Sequence, residues 1–199
     1  HIVLARPKAK NAFTMDMYAQ YAQALEEFSQ DDAVSVVVVS GEGDDFCAGN
    51  DLNDFLSAGS LDPNTLADPE QSSPARAVHA LINMSKPLLG AVEGRAIGFG
   101  ATMLLHFDYI AVAENGYLHF PFVDIGLVPE AGSSFLLPMR VGSAKASELL
   151  LDPSPISAAE AVERTLASVV AEPGETAAHI DKVAQRWADR KSTRLNSSH

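Results

Sequence analysis

The strongest constraint on this chain is an apolar run that does not alternate. Residues 34–40 read Val-Ser-Val-Val-Val-Val-Ser and stop at Gly41. β-Branched side chains favour strand over helix, and a strand that is apolar on both faces must be covered on both faces. A sheet with one wet face is excluded, and a parallel sheet flanked by helices is the expectation. Residues 88–92 (Leu-Leu-Gly-Ala-Val) and 109–113 (Tyr-Ile-Ala-Val-Ala) read as further buried strands. Between such runs the spacing turns helical. Thr14 can cap a helix over 15–29 that puts Tyr18, Tyr21, Ala22, Leu25 and Phe28 on one face. A second helix carries Val78, Leu81 and Ile82 and ends at Lys86-Pro87. Apolar residues 101–107 predict a helix, and residues 94–100, punctuated by glycine, a turn. Short strands are expected over 118–120 and 166–170. Helices are expected over 52–58, 133–137, 143–151, 158–164 and 177–190, with residues 59–73 as a Pro-, Asp- and Ser-rich loop. Strands alternating with helices give an α/β class with parallel pairing.

With 199 residues the chain suits one domain, assigned to 1–190. It starts at His1 inside a strand-like run, and residues 191–199 (KSTRLNSSH) drop the apolar periodicity. Both ends therefore read as truncated, with 191–199 a non-native tail. A formal net charge of −12 argues against a nucleic-acid partner, which would need a basic face. The single cysteine, Cys47, rules out an internal disulfide framework and fits a reducing compartment. No apolar stretch is long enough to span a membrane. The expected setting is cytoplasmic, or peroxisomal or mitochondrial in a eukaryote.

Familiar motifs fail on single residues. Gly41-Glu42-Gly43 lacks the third glycine of a dinucleotide loop, which would stand at Phe46. Asp51, Asn53 and Asp54 lack the calcium-loop glycine, at Leu56. The histidines have no metal-ligand spacing, so no metal is expected. Two loops stand out: Phe46-Cys47-Ala48-Gly49-Asn50-Asp51-Leu52 and Gly94-Arg95-Ala96-Ile97-Gly98-Phe99-Gly100. Each follows a buried strand and opens a helix. Small residues admit a ligand to the backbone, and a helix N-terminus offers free N–H groups. Two such termini can converge on one oxyanion. They can equally be two ordinary strand-to-helix turns.

The first loop resembles the Ala-Gly-x-Asp-Leu signature of the crotonase (enoyl-CoA hydratase/isomerase) superfamily. Residues 86–100 resemble its second signature. The similarity extends in order through Arg6-Pro7, Asn11-Ala12, Asp108, Phe120-Pro121, Gly126-Leu127-Val128-Pro129, Leu137-Pro138, Val141-Gly142, Ala158, Glu160 and Ala161. The resemblance implies a crotonase-like spiral of ββα units with a helical C-terminal part, here truncated. It also implies assembly as a homotrimer or hexamer, and an acyl-CoA thioester as substrate. CoA is then part of the substrate, and no separate cofactor is expected. The backbone N–H groups of Asn50 and Phe99 would form an oxyanion hole. Ala48, Gly49, Asp51, Leu52 and Gly98 would lie along the thioester and CoA. Lys8, with Arg6 and Lys10, is offered to the CoA phosphates.

Departures from the family pattern narrow the reaction. Where hydratases of the superfamily carry two glutamates, this chain has Thr102 and Phe122. The run Pro129-Glu130-Ala131-Gly132-Ser133-Ser134, with Asn50 and Thr102, is similar to the peroxisomal type of Δ3,Δ2-enoyl-CoA isomerase. In that branch the residue matching Glu130 is the catalytic acid/base. Moving a double bond needs one such group, whereas adding water needs two. Phe99, Phe122 and Phe135 are expected to surround Glu130 and raise its pKa. The alternatives are a hydratase-like or other acyl-CoA lyase or hydrolase on the same fold, and a non-catalytic acyl-CoA-binding or structural subunit.

Overall fold

A computed structural model of the chain describes residues 1–51, 54 and 68–196, and only the backbone of 191–196. The principal sheet has five parallel strands in the order β1-β2-β3-β5-β8. These are β1 (Ile2–Leu4), β2 (Val37–Gly41), β3 (Leu88–Val92), β5 (Tyr109–Ala113) and β8 (Val169–Ala171). A smaller sheet holds β4 (Arg95–Ile97), β6 (Tyr117–His119) and β7 (Ile156–Ser157), with β6 parallel to β4 and antiparallel to β7. Each turn of chain lays one strand in each sheet: β3 then β4, and β5 then β6. The turn that starts at β2 continues as an irregular strand, in which Cys47 bridges Ala96 and Asn50 bridges Phe13. This is the stacking expected of a spiral of ββα units.

The unalternated strands are covered on both sides, as their sequence requires. One face of the principal sheet buries Val37, Val39, Leu88 and Val92 against α1 (Met15–Gln30) and α2 (Ser73–Ile82). The opposite face buries Val38, Leu89, Ala91 and Ala111 under Ile180 and Val183 of the last helix, α7 (Thr176–Asn196). Helix α1 is fixed at its start by Thr14, whose hydroxyl accepts the Met17 N–H, and by Asp54, which accepts the Met15 N–H at 3.0 Å. Tyr18, Tyr21, Ala22 and Leu25 line its buried face. Each large side chain there contributes roughly 1.5–3 kcal/mol relative to exposure. The N-terminus of α7 is docked by Glu93, whose carboxylate accepts the Thr176 hydroxyl at 2.6 Å and the Gly174 and Thr176 N–H groups.

Several expected boundaries move. Residues 95–97, read as part of a turn, form β4. The apolar stretch over 101–107 is split between one helical turn, α3 (Phe99–Thr102), and a 3-10 turn, Met103–His106. Helix α4 (Ser133–Val141) continues four residues past Leu137, with Pro138 inside it. Helix α5 (Ser143–Leu151) has the expected bounds, and α6 (Ala158–Glu163) ends one residue early. The last strand starts at Val169, not Leu166. The last helix runs to Asn196, past the point where the apolar spacing stops. Apart from Asp54, the helix expected over 52–58 lies outside the described residues, as does most of the loop over 59–73.

Candidate active site

The two glycine loops meet backbone to backbone. Gly49 has φ +91, and a Cβ there would stand 2.8 Å from the Ile97 carbonyl oxygen and 3.7 Å from the Gly98 Cα. Gly98 has φ +54 and faces the Gly49 Cα in return. Only glycine permits so close an approach at these dihedrals. Gly100 abuts the Cys47 carbonyl in the same way, at 2.5 Å for an added Cβ.

The residues following these glycines are Asn50 and Phe99. Around Asn50 the bridge is made by its neighbours: the Phe13 N–H donates to the Gly49 carbonyl, and the Asp51 N–H to the Phe13 carbonyl. A parallel bridge of this kind turns the Asn50 N–H to the other side. Phe99 is the first residue of α3, so its N–H precedes the helical ladder. Among the described residues neither N–H donates to a backbone carbonyl outside the regular elements.

Glu130 lies against these loops. As a residue it is half-buried, but its carboxyl end turns inward, and Oε1 is buried without a hydrogen-bond partner. Burial pushes its pKa from the ordinary 4.5 up to about 7, and the Asn50 side-chain amide pulls the other way. The Asn50 carboxamide oxygen in turn accepts the Tyr18 phenol. The Tyr18 ring packs against Phe13 and Phe99, with centroids 4.8 and 4.7 Å away, and those two rings also meet each other at 5.1 Å. Local backbone aims the glutamate. Its carbonyl accepts both the Ser133 hydroxyl, at 2.6 Å, and the Ser133 N–H, at 2.9 Å. Ala131 then adopts φ +52, rare for a residue with a Cβ, and His106 Nε2 lies 2.8 Å from its carbonyl oxygen. Burial lowers the His106 pKa.

The other expected site residues fall as follows. Ala48 is half-buried, and its N–H donates to the Lys10 carbonyl, which ties the first loop to the segment carrying Lys8. Lys8 is exposed, on a 3-10 turn over Pro7–Ala9. Arg6 is not left open for a phosphate: its guanidinium pairs with Asp51 at 3.0 Å and donates to the Ala12 carbonyl. Leu52 lies outside the described residues. Thr102 is buried, its hydroxyl directed to the Phe99 carbonyl, and Phe122 is buried. Phe135 is not part of a ring cage around Glu130. It is 69% exposed, because the first turn of α4 carries it outward. Burial first, and then the Glu130 charge, raises the pKa values of Tyr18 and Cys47, so these two groups are the electrostatic neighbours of Glu130. Asp124, the other carboxylate of this segment, is exposed. The sequence suggested Tyr18 only as a core face and His106 only as an ordinary histidine. Tyr18 meets Asn50 across a separation of 32 residues, which no local pattern reveals.

An enoyl-CoA hydratase/isomerase family profile matches residues 1–197. The chain belongs to this family. It is 38% identical over 169 residues to enoyl-CoA delta isomerase 2 of Rattus norvegicus, covering 85% of this chain and 43% of that protein. An enoyl-CoA hydratase of Alternaria alternata is 36% identical over 148 residues, covering 74% of this chain and 49% of the relative. The 1,2-epoxyphenylacetyl-CoA isomerase of Escherichia coli is 36% identical over 166 residues, covering 81% and 62%. The chain thus spans about half the length of these curated relatives. Among solved structures, Pseudomonas aeruginosa OdaA superposes with a TM-score of 0.86 at 38% identity, covering 98% of this chain and 79% of that one. An enoyl-CoA hydratase/isomerase from Pseudoalteromonas atlantica gives 0.85 at 36%, covering 97% and 76%. The fold is therefore the crotonase fold. Among the described residues no helix is long and apolar enough to cross a membrane, and no group of three or more His, Cys, Asp or Glu is placed to hold a metal ion.

Proposed function

We propose that this chain is the core of an enoyl-CoA isomerase, which moves a double bond from the β,γ to the α,β position of an acyl-CoA thioester. The observation that carries the reading is the inward-turned Glu130 carboxyl, buried against the two glycine loops with a pKa raised to about 7. Such a group is poised near neutrality both to take a proton and to return it. Glu130 removes the α-proton, the C–H pair delocalises onto the thioester oxygen as a dienolate, and the protonated carboxyl delivers the proton to the γ-carbon. Protons and electrons balance without a co-reactant. The N–H groups of Asn50 and Phe99 hold the developing oxyanion; each such donor is typically worth about 2.7–4 kcal/mol. On this reading Ala48, Gly49, Asp51 and Gly98 contact the acyl-CoA, and the exposed Lys8 pairs with a CoA phosphate.

Water addition is disfavoured on this reading because Thr102 and Phe122 stand where a hydratase keeps its two acids, and neither can move a proton. The test is a paired assay of the full-length protein on a 3-enoyl-CoA and a 2-enoyl-CoA. Isomerisation should exceed hydration, and Glu130→Gln should lower isomerase turnover by about 100-fold or more, the low end for a positioned acid/base. Faster hydration than isomerisation, or an active Glu130→Gln, refutes the assignment.

A further inference from the structure

Tyr18 stands outside both glycine loops and the segment of Glu130, yet its hydroxyl reaches the middle of the site. Its phenol donates to Asn50 Oδ1, and its ring is 1% exposed and packed against both Phe13 and Phe99 in a three-ring cluster, which leaves the hydroxyl little freedom to turn elsewhere. A carboxamide has one accepting end and one donating end. With Oδ1 engaged by the phenol, the NH2 end is what remains for Glu130. We propose that Tyr18 is a positioning residue, which holds the Asn50 carboxamide by its oxygen and so turns the Asn50 NH2 toward the Glu130 carboxylate. The ionised, base-competent form of Glu130 is then the one that finds a donor. Oε1, buried and without a partner, is the oxygen left to take up the substrate proton and give it back.

Burial holds the Tyr18 phenol well above its usual pKa, so it remains a donor while Glu130 titrates. The other titratable groups around Glu130 are Cys47 on the first loop, whose thiol burial pushes up to about 12, and His106 beyond the Ala131 carbonyl, which burial pushes below 6.5. Cys47 keeps its proton while Glu130 titrates, and burial moves the His106 titration downward, away from that of Glu130. Without the phenol the carboxamide can present its oxygen to Glu130 instead. Two oxygens then face each other, which favours the protonated carboxyl.

The inference rests on Glu130 being the base, and the experiment separates the two. Isomerisation of a 3-hexenoyl-CoA by the full-length protein is followed from pH 5 to 10 for the parent, Tyr18→Phe, Asn50→Ala, the double variant and Glu130→Gln. Tyr18→Phe retains the ring and its packing. The ascending limb of kcat should move up by about one pH unit, a loss of roughly tenfold below the limb with recovery at high pH. KM should stay within about twofold. Asn50→Ala should move the limb the same way, and Tyr18→Phe should add nothing in that background, because the phenol acts through the amide. A purely structural role would lower kcat at every pH and leave the limb in place, which would overturn the proposal. So would an equal limb shift by Tyr18→Phe in the Asn50→Ala background. If Tyr18→Phe does not fold, an unmoved limb in Asn50→Ala overturns it as well. Loss of activity in Glu130→Gln with an unmoved limb in Tyr18→Phe sinks only the Tyr18 role; an active Glu130→Gln sinks both.

Discussion

Burying a carboxyl that must ionise has a cost that can be measured without any substrate. The folded chain holds Glu130 at about 7 against the ordinary 4.5. The sign follows from proton linkage. In the unfolded chain Glu130 loses its proton near 4.5, while in the folded chain it keeps it until about 7. Between those values the folded state binds more protons, so stability falls as pH rises. The contribution is fully present below the unfolded value and is lost as pH passes the folded one. At about 1.4 kcal/mol per pKa unit, the whole interval corresponds to roughly 3 kcal/mol. Glu130→Gln removes the titration while keeping the shape of the side chain. Its stability relative to the parent should therefore rise by roughly 2–3 kcal/mol between pH 4.5 and 8 and change little beyond. Comparing the two proteins at several pH values cancels any fixed penalty for burying the new amide. The assay is urea denaturation at pH 4.5, 5.5, 6.5, 7.5 and 8.5, with midpoints and slopes fitted at each. A difference between variant and parent that stays constant across this range would refute both the burial of the carboxyl and its place in the mechanism.

Two more predictions concern the loops. Gly49→Ala puts a Cβ 2.8 Å from a backbone oxygen at φ +91, so it should cost roughly 2–4 kcal/mol in denaturant; Gly126→Ala, at φ +67 with nothing within 4 Å, should cost only about 1 kcal/mol. Equal costs would mean that the two loops do not meet as described. Cys47 is buried with its thiol pushed up to about 12, so iodoacetamide at pH 8 should label the native protein far more slowly than the urea-unfolded chain; labelling at equal rates would place Cys47 at the surface.

What the sequence made legible follows from what is local. The central strands β2, β3 and β5 could be read because burial on both faces leaves an unalternated run, whatever the partner strand. The two glycine loops could be read because close backbone approach admits little but glycine. β4 was hidden: its three residues have no periodicity to show, and their pairing with β6 and with Cys47 is set by the spiral, not by their neighbours. Phe135 is expected beside Glu130 only from the family resemblance, and a left-handed Gly132 and the first turn of α4 swing its ring outward instead. Tyr18 was legible as a core position and illegible as a site residue. A tyrosine on a buried helical face looks the same whether or not its hydroxyl has a distant acceptor.

The meeting of Gly49 and Gly98 has a consequence for how such a protein can change over time. The part that would hold an oxygen is made of main chain locked against main chain, and most substitutions there strain it. The part that would move a proton is one side chain, Glu130, on a separate stretch. The two can drift independently: a carboxylate gained or lost at another position facing the loops redirects the reaction and leaves the cradle untouched. Relatives of nearly equal similarity, some called hydratases and others isomerases, are what such a division of labour would leave behind.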